Sequence, residues 1–209
     1  MKLTRLLIIS GFIVLTAGRA FAANAQDIAG FYQEAQAFNS EGRFAEAVAA
    51  YEKALNLDPK SSETCLRLGL LYFKLHIPSK AEEYYLKAVA NGLDSPEAYF
   101  QLGYIEETRG DLVKALEYYL KAADKGSENP ELFYNIGNAY AQTGKLADSV
   151  GYYKKAVVKD PGHLNAFVNL STVSYRLNEF ADARFYLDKA VKLGYKAPAE
   201  YLKVLEDKK

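Results

Sequence analysis

The sequence predicts an all-α protein, a solenoid of five helix–turn–helix units closed by a C-terminal capping helix. Three observations carry this. A 34-residue period runs without insertion from Ile28 to Ala197, traced by Ala54, Ala88, Ala122, Ala156 and Ala190 and by Lys53, Lys87, Lys121, Lys155 and Lys189. Apolar residues inside each period recur at helical spacing, as in Leu112, Ala115, Leu116, Tyr119 and Ala122. Turn residues interrupt each period at one fixed place. A constant step of this size marks stacked units, each burying its apolar face only against its neighbours.

The elements follow in order. Residues 1–25 hold the three-part pattern of an export signal, the signal itself taken as 1–22: Lys2 and Arg5, an apolar run from Leu6 to Gly18, then Ala20-Phe21-Ala22 and Ala23-Asn24-Ala25. Thirteen residues reach only about 20 Å as a helix, short of the ~30 Å hydrocarbon core, so cleavage after Ala22 or Ala25 is expected rather than anchoring. The units then occupy 28–61, 62–95, 96–129, 130–163 and 164–197. The break between the two helices of each falls at Gly42, His76, Gly110, Gly144 and Asn178. Glycine and asparagine suit the left-handed backbone that ends a helix, and His76 is the exception. Ser95-Pro96-Glu97 and Asn129-Pro130-Glu131 each supply a cap, a proline and an acid at a helix start. Residues 198–209 form the capping helix, with Leu205 where other first helices place a small residue.

Composition excludes several function classes. Without residues 1–22 the chain has 23 basic and 26 acidic side chains, a mild acidity that lacks the basic stripe a nucleic-acid binder needs. Cys65 stands where other units carry Phe31, Tyr99, Phe133 and Phe167, which predicts burial rather than a disulfide. His76 and His163 are read as surface turn residues. No nucleophile–base set, metal-ligand spacing or phosphate-cradling loop occurs, so neither catalytic residues, a metal nor a cofactor is expected.

The units resemble the tetratricopeptide repeat (TPR), through Tyr99, Leu102-Gly103, Ala115, Tyr119 and Ala122, and again Phe133, Ile136-Gly137, Tyr140, Ser149, Tyr153, Ala156 and Pro161. Gly69, Gly103 and Gly137, with Ala35 and Ser171, stand where the two helices of a unit approach closely, while Glu106 and Ser174 replace a tyrosine, which leaves either a thinner core or a hydrogen-bonded polar group there. The resemblance implies a right-handed superhelix whose first helices line a concave groove. It places Tyr32, Leu66, Phe100, Tyr134 and Val168 there as an apolar ladder. Leu70, Tyr104 and Asn138 stand four residues on, and Arg67, Gln101, Asn135 and Asn169 lie between.

An apolar ladder flanked by amides suits an extended or helical peptide, with rings taking its side chains and amides its backbone. The terminal-carboxylate clamp of some family members is not reproduced by Tyr32, Gln36, Arg67, Glu97 and Gln101, nor one unit along. The second-helix lysines and the doublets Tyr84-Tyr85, Tyr118-Tyr119 and Tyr152-Tyr153 read as a solvated structural face, helped by Glu83–Lys87 and Glu117–Lys121 pairs. The expected function is a non-enzymatic scaffold, periplasmic or secreted. It would bind a peptide segment of an envelope or secreted protein, as a monomer or weak homo-oligomer without membrane insertion. A carrier of a small apolar or aromatic ligand and a self-assembling module are the alternatives.

Overall fold

A computed structural model describes residues 25–208; the export signal taken as 1–22 lies outside them. All regular structure among the described residues is helical. The chain divides at Leu93/Asp94 into two units. The first contains α1 (25–40), α2 (Phe44–Leu57), α3 (Ser62–Lys74) and α4 (Pro78–Ala90). The second contains α5 (Pro96–Arg109), α6 (Leu112–Asp124), α7 (Pro130–Gln142), α8 (Leu146–Lys159), α9 (Leu164–Arg176), α10 (Phe180–Lys192) and α11 (Ala199–Glu206). Within each unit, helices pack on those adjacent in the chain, the nearest-neighbour pattern of a stacked repeat.

Local chemistry explains the boundaries. Pro96 and Pro130 open α5 and α7, and the Asn129 side chain accepts from the Glu131 amide. All five turns inside the helix pairs adopt a positive φ, at Gly42, His76, Gly110, Gly144 and Asn178. His76, at φ 57°, therefore shares the left-handed geometry of the glycines instead of departing from it. Histidine and asparagine are enriched among the few non-glycine residues found there.

The core is built on one repeated contact. A Cβ added at Gly103 would lie 2.5 Å from the Tyr119 ring, and one at Gly69 or Gly137 would lie 2.6 Å from Tyr85 or Tyr153. The glycine admits the ring of its own helix pair, and all three rings are almost wholly buried. The fifth pair exchanges both partners together: Ser171 replaces the glycine and Leu187 the tyrosine. Ser171 Oγ then donates to the Ala183 carbonyl at 2.8 Å and meets Tyr201 Oη of α11. Leu205 is buried with Ala183 and Leu187, so the residue that would block a further close helix seals the end of this core.

Burial matches the reading of Cys65, which is 1% exposed, and burial pushes its thiol up from the ordinary value. Glu106 is buried and paired with Arg109 at 3.2 Å, while Ser174 Oγ is buried without a hydrogen-bond partner. His163 corrects the sequence reading, because it is buried and not a surface turn residue. Its Nδ1 accepts from the Ala166 amide at 3.4 Å to cap α9, and its Nε2 lies 3.3 Å from Glu131 Oε2.

Candidate functional site

The first helices of the second unit, α5, α7 and α9, carry the ladder and amides, but the second helices decide how these are held. Tyr119 and Tyr153 pass over their glycines and extend their hydroxyls to the first-helix residues. Tyr119 Oη donates to Glu107 Oε2 at 2.6 Å and accepts from Asn135 Nδ2 at 3.4 Å. Tyr153 Oη donates to Asn138 Oδ1 at 2.8 Å. Asn169 Nδ2 reaches the same Oδ1 at 2.9 Å and Tyr153 Oη at 3.3 Å. The apolar period places these rings in the structural core, while their hydroxyls, which the period does not report, reach the first helices. A tyrosine followed by asparagine sixteen residues later, as in Tyr119/Asn135 and Tyr153/Asn169, was the available signal.

The Asn138–Tyr153–Asn169 junction has defined polarity. Both lone pairs of Asn138 Oδ1 are used, leaving its Nδ2 hydrogens as donors, while Asn169 Oδ1 remains an acceptor. A cleft of about 320 Å³ opens beside it, bounded also by Ala141, Gln142, Thr172, Val173 and Arg176. Tyr134 stands at the same junction, its ring 5.9 Å from Tyr153 and 4.8 Å from His163, the cap of α9. Tyr134 is thus half-buried and held from two sides. A second cleft, of about 410 Å³, is walled by Pro96, Glu97, Phe100, Gln101 and the turn 126–129. Phe100 lies 5.8 Å from the Tyr119 ring.

Other ladder positions serve differently. Asn135 is buried and bonded to Tyr119, so it supports the site rather than facing a ligand. Val168 is half-buried against the core around Tyr153 and Leu170, whereas Tyr104 is 40% exposed. In the first unit Leu66 is buried and cannot present its side chain, which corrects its placement in the groove. Arg67 is drawn to Glu63 of its own helix at 2.7 Å, and Leu70 is half-buried. Tyr32 hydrogen-bonds Thr64 and packs edge-on to Tyr51 at 5.1 Å. On the second helices Glu83 and Lys87 pair at 2.7 Å, but Lys121 lies over the Tyr118 ring instead of meeting Glu117.

Burial raises the Tyr153 phenol from 10 to about 12, against a smaller opposing effect from Asn169. Burial and the Glu107 hydrogen bond raise Tyr119 further. The folded state therefore favours the neutral phenols. The Tyr153 contribution is complete below pH 10 and is lost as pH rises from about 10 through about 12, and that of Tyr119 persists to higher pH. Thermal unfolding should show a steep loss of stability across that window, with a shallower slope for Tyr153→Phe. Equal slopes would mean that Tyr153 ionises freely in the folded chain.

Among the described residues no group of His, Cys, Asp and Glu is gathered to hold a metal ion, and no helix is long and apolar enough to cross a membrane. Comparison with curated proteins finds no sequence match. Solved structures do match. "Crystal structure of MamA protein" superposes with a TM-score of 0.72 at 24% identity, covering 81% of this chain and 92% of that one. YrrB, described as a TPR protein with an unusual peptide-binding site, gives 0.71 at 23%, covering 92% and 97%. PilF of Pseudomonas aeruginosa gives 0.67 at 21%, covering 84% and 80%. These likenesses show the fold, an α-solenoid of TPR units. Family models match at residues 35–75 (TPR repeat), 66–130 and 130–163 (both tetratricopeptide repeat), which with the repeated glycine–tyrosine contact establishes that the chain belongs to the tetratricopeptide-repeat family.

Proposed function

We propose that the protein is a non-enzymatic interaction scaffold that holds an extended peptide segment of an envelope or secreted partner along its first helices. The Asn138–Tyr153–Asn169 junction carries the reading. Its free donor and free acceptor match the two hydrogen-bonding groups of a peptide unit, and Tyr134 and Phe100 offer apolar area for neighbouring side chains. Rings fixed before binding lose little entropy when a ligand arrives. The peptide-binding site of YrrB supports this choice of partner class. Native mass spectrometry of protein isolated with its ligand separates the alternatives. A co-purified peptide is expected, whereas a small adduct would favour the carrier. Burial of Cys65 removes a thiol route to self-assembly of the folded chain.

Export belongs to the same proposal. The charged start, apolar run and Ala-x-Ala ends in 1–25 support cleavage and a periplasmic or secreted location. N-terminal sequencing of the protein from its native host should begin at Ala23 or Gln26. An intact Met1 recovered from membranes would overturn it.

A further inference from the structure

Helix α8 carries an interior glycine, Gly151, that its packing does not require. A Cβ there would meet no heavy atom within 4 Å, and glycine disfavours a helix interior relative to any ordinary residue except proline. The same place in the 34-residue step holds Ala49, Glu83, Glu117 and Phe185. Glu83 pairs with Lys87 one turn on, so glycine at 151 removes the acid one turn before Lys155. Lys155 Nζ lies over two rings, 4.8 Å from the Tyr152 centroid and 5.8 Å from that of Phe133, as Lys87 lies over Tyr84, but without the carboxylate that Lys87 also meets.

A cavity of about 510 Å³ opens here, walled by Phe133, Gly151, Tyr152, Lys154, Lys155 and Val158 among others. Val158 is 75% exposed, a large share for an aliphatic residue. Of the acids at the rim, Glu128 is taken by Lys159, and Asp124 is the other. Among the described residues neither Lys154 nor Lys155 forms an ion pair; Lys154 lies over the Tyr186 ring. Successive residues on a helix are about 100° apart, so these two ammonium groups diverge and one carboxylate cannot serve both.

We propose that this cavity is a second binding site, separate from the first-helix groove. Its ligand is a peptide segment of a partner protein presenting a large apolar side chain between two carboxylates. The apolar group lies on Phe133, Tyr152 and Val158, in the space a glutamate at 151 would take. One carboxylate meets Lys155, which the rings hold in place, and the other meets Lys154.

Titrating the 15N-labelled mature chain at low salt with acetyl-Glu-Phe-Glu-amide tests this. The amide resonances of Gly151 and Val158 should shift saturably, and acetyl-Lys-Phe-Lys-amide should leave them in place. Gly151→Glu installs the residue of the second and third repeats and favours the helix, so it should unfold no earlier than wild type yet weaken binding at least tenfold. Lys155→Met should weaken it several-fold. Wild-type affinity in Gly151→Glu would overturn the site. Saturation by 3-phenylpropionate as tight as by the peptide would overturn the peptide assignment in favour of a small acid. Asn138→Ala, a groove variant, should leave this titration unchanged. Loss of binding in that variant would place the peptide in the groove and overturn the separate site.

Discussion

Gly103→Leu should lower the stability of the second unit by about 1–3 kcal/mol or more, the cost of forcing extra atoms into a packed core. For a chain of this length that is a fall of roughly 2–12 °C in the unfolding midpoint. The first added atom already lies 2.5 Å from Tyr119 Cδ1 and 3.1 Å from the Ala115 carbonyl oxygen. The ring cannot swing aside cheaply, because it is buried and its hydroxyl is tied to Glu107 and Asn135. Gly30→Leu is the matched control, since a Cβ at Gly30 meets nothing within 4 Å. The serine–leucine exchange in the fifth pair suggests a rescue: Gly103→Ser with Tyr119→Leu should unfold later than Gly103→Ser alone. Circular dichroism melts read all four variants. An unchanged midpoint for Gly103→Leu would show that the glycine–tyrosine contact does not hold this pair together.

Tyr134→Ala should weaken partner binding by about 1–3 kcal/mol, in the range of an aromatic anchor at an interface. Its ring is half-buried between Tyr153 and His163, so its position is set before a ligand arrives. Asn138→Ala should also weaken binding, through two losses. The donor to the ligand disappears, and Tyr153 Oη and Asn169 Nδ2 lose their shared acceptor. Capture from the native envelope fraction with immobilised wild type, Tyr134→Ala, Asn138→Ala and Lys121→Ala provides the comparison, with melting curves alongside. Lys121, over the Tyr118 ring on the second-helix side, should behave as wild type. Folded Tyr134 and Asn138 variants that retain the partner, with loss in Lys121→Ala, would move the working surface to the second helices.

The sequence by itself determined the helix pairs, their step and their turns. Period, caps and turn residues are local signals, and a helix reports its buried face within four residues. It also marked the small residues Gly69, Gly103 and Gly137, although not the rings they admit. Only the tertiary structure decided which ladder residues reach solvent. Leu66 and Asn135 share a helical register with Phe100 and Asn169, yet packing from neighbouring helices covers the first two. It likewise decided that His163 is a buried cap under Tyr134, and that Tyr153 joins Asn138 to Asn169 across fifteen and sixteen residues. Those contacts depend on where one helix pair lies against the next. A repeat period fixes the step along the chain, but side-chain reach between neighbouring pairs appears only when the helices are stacked.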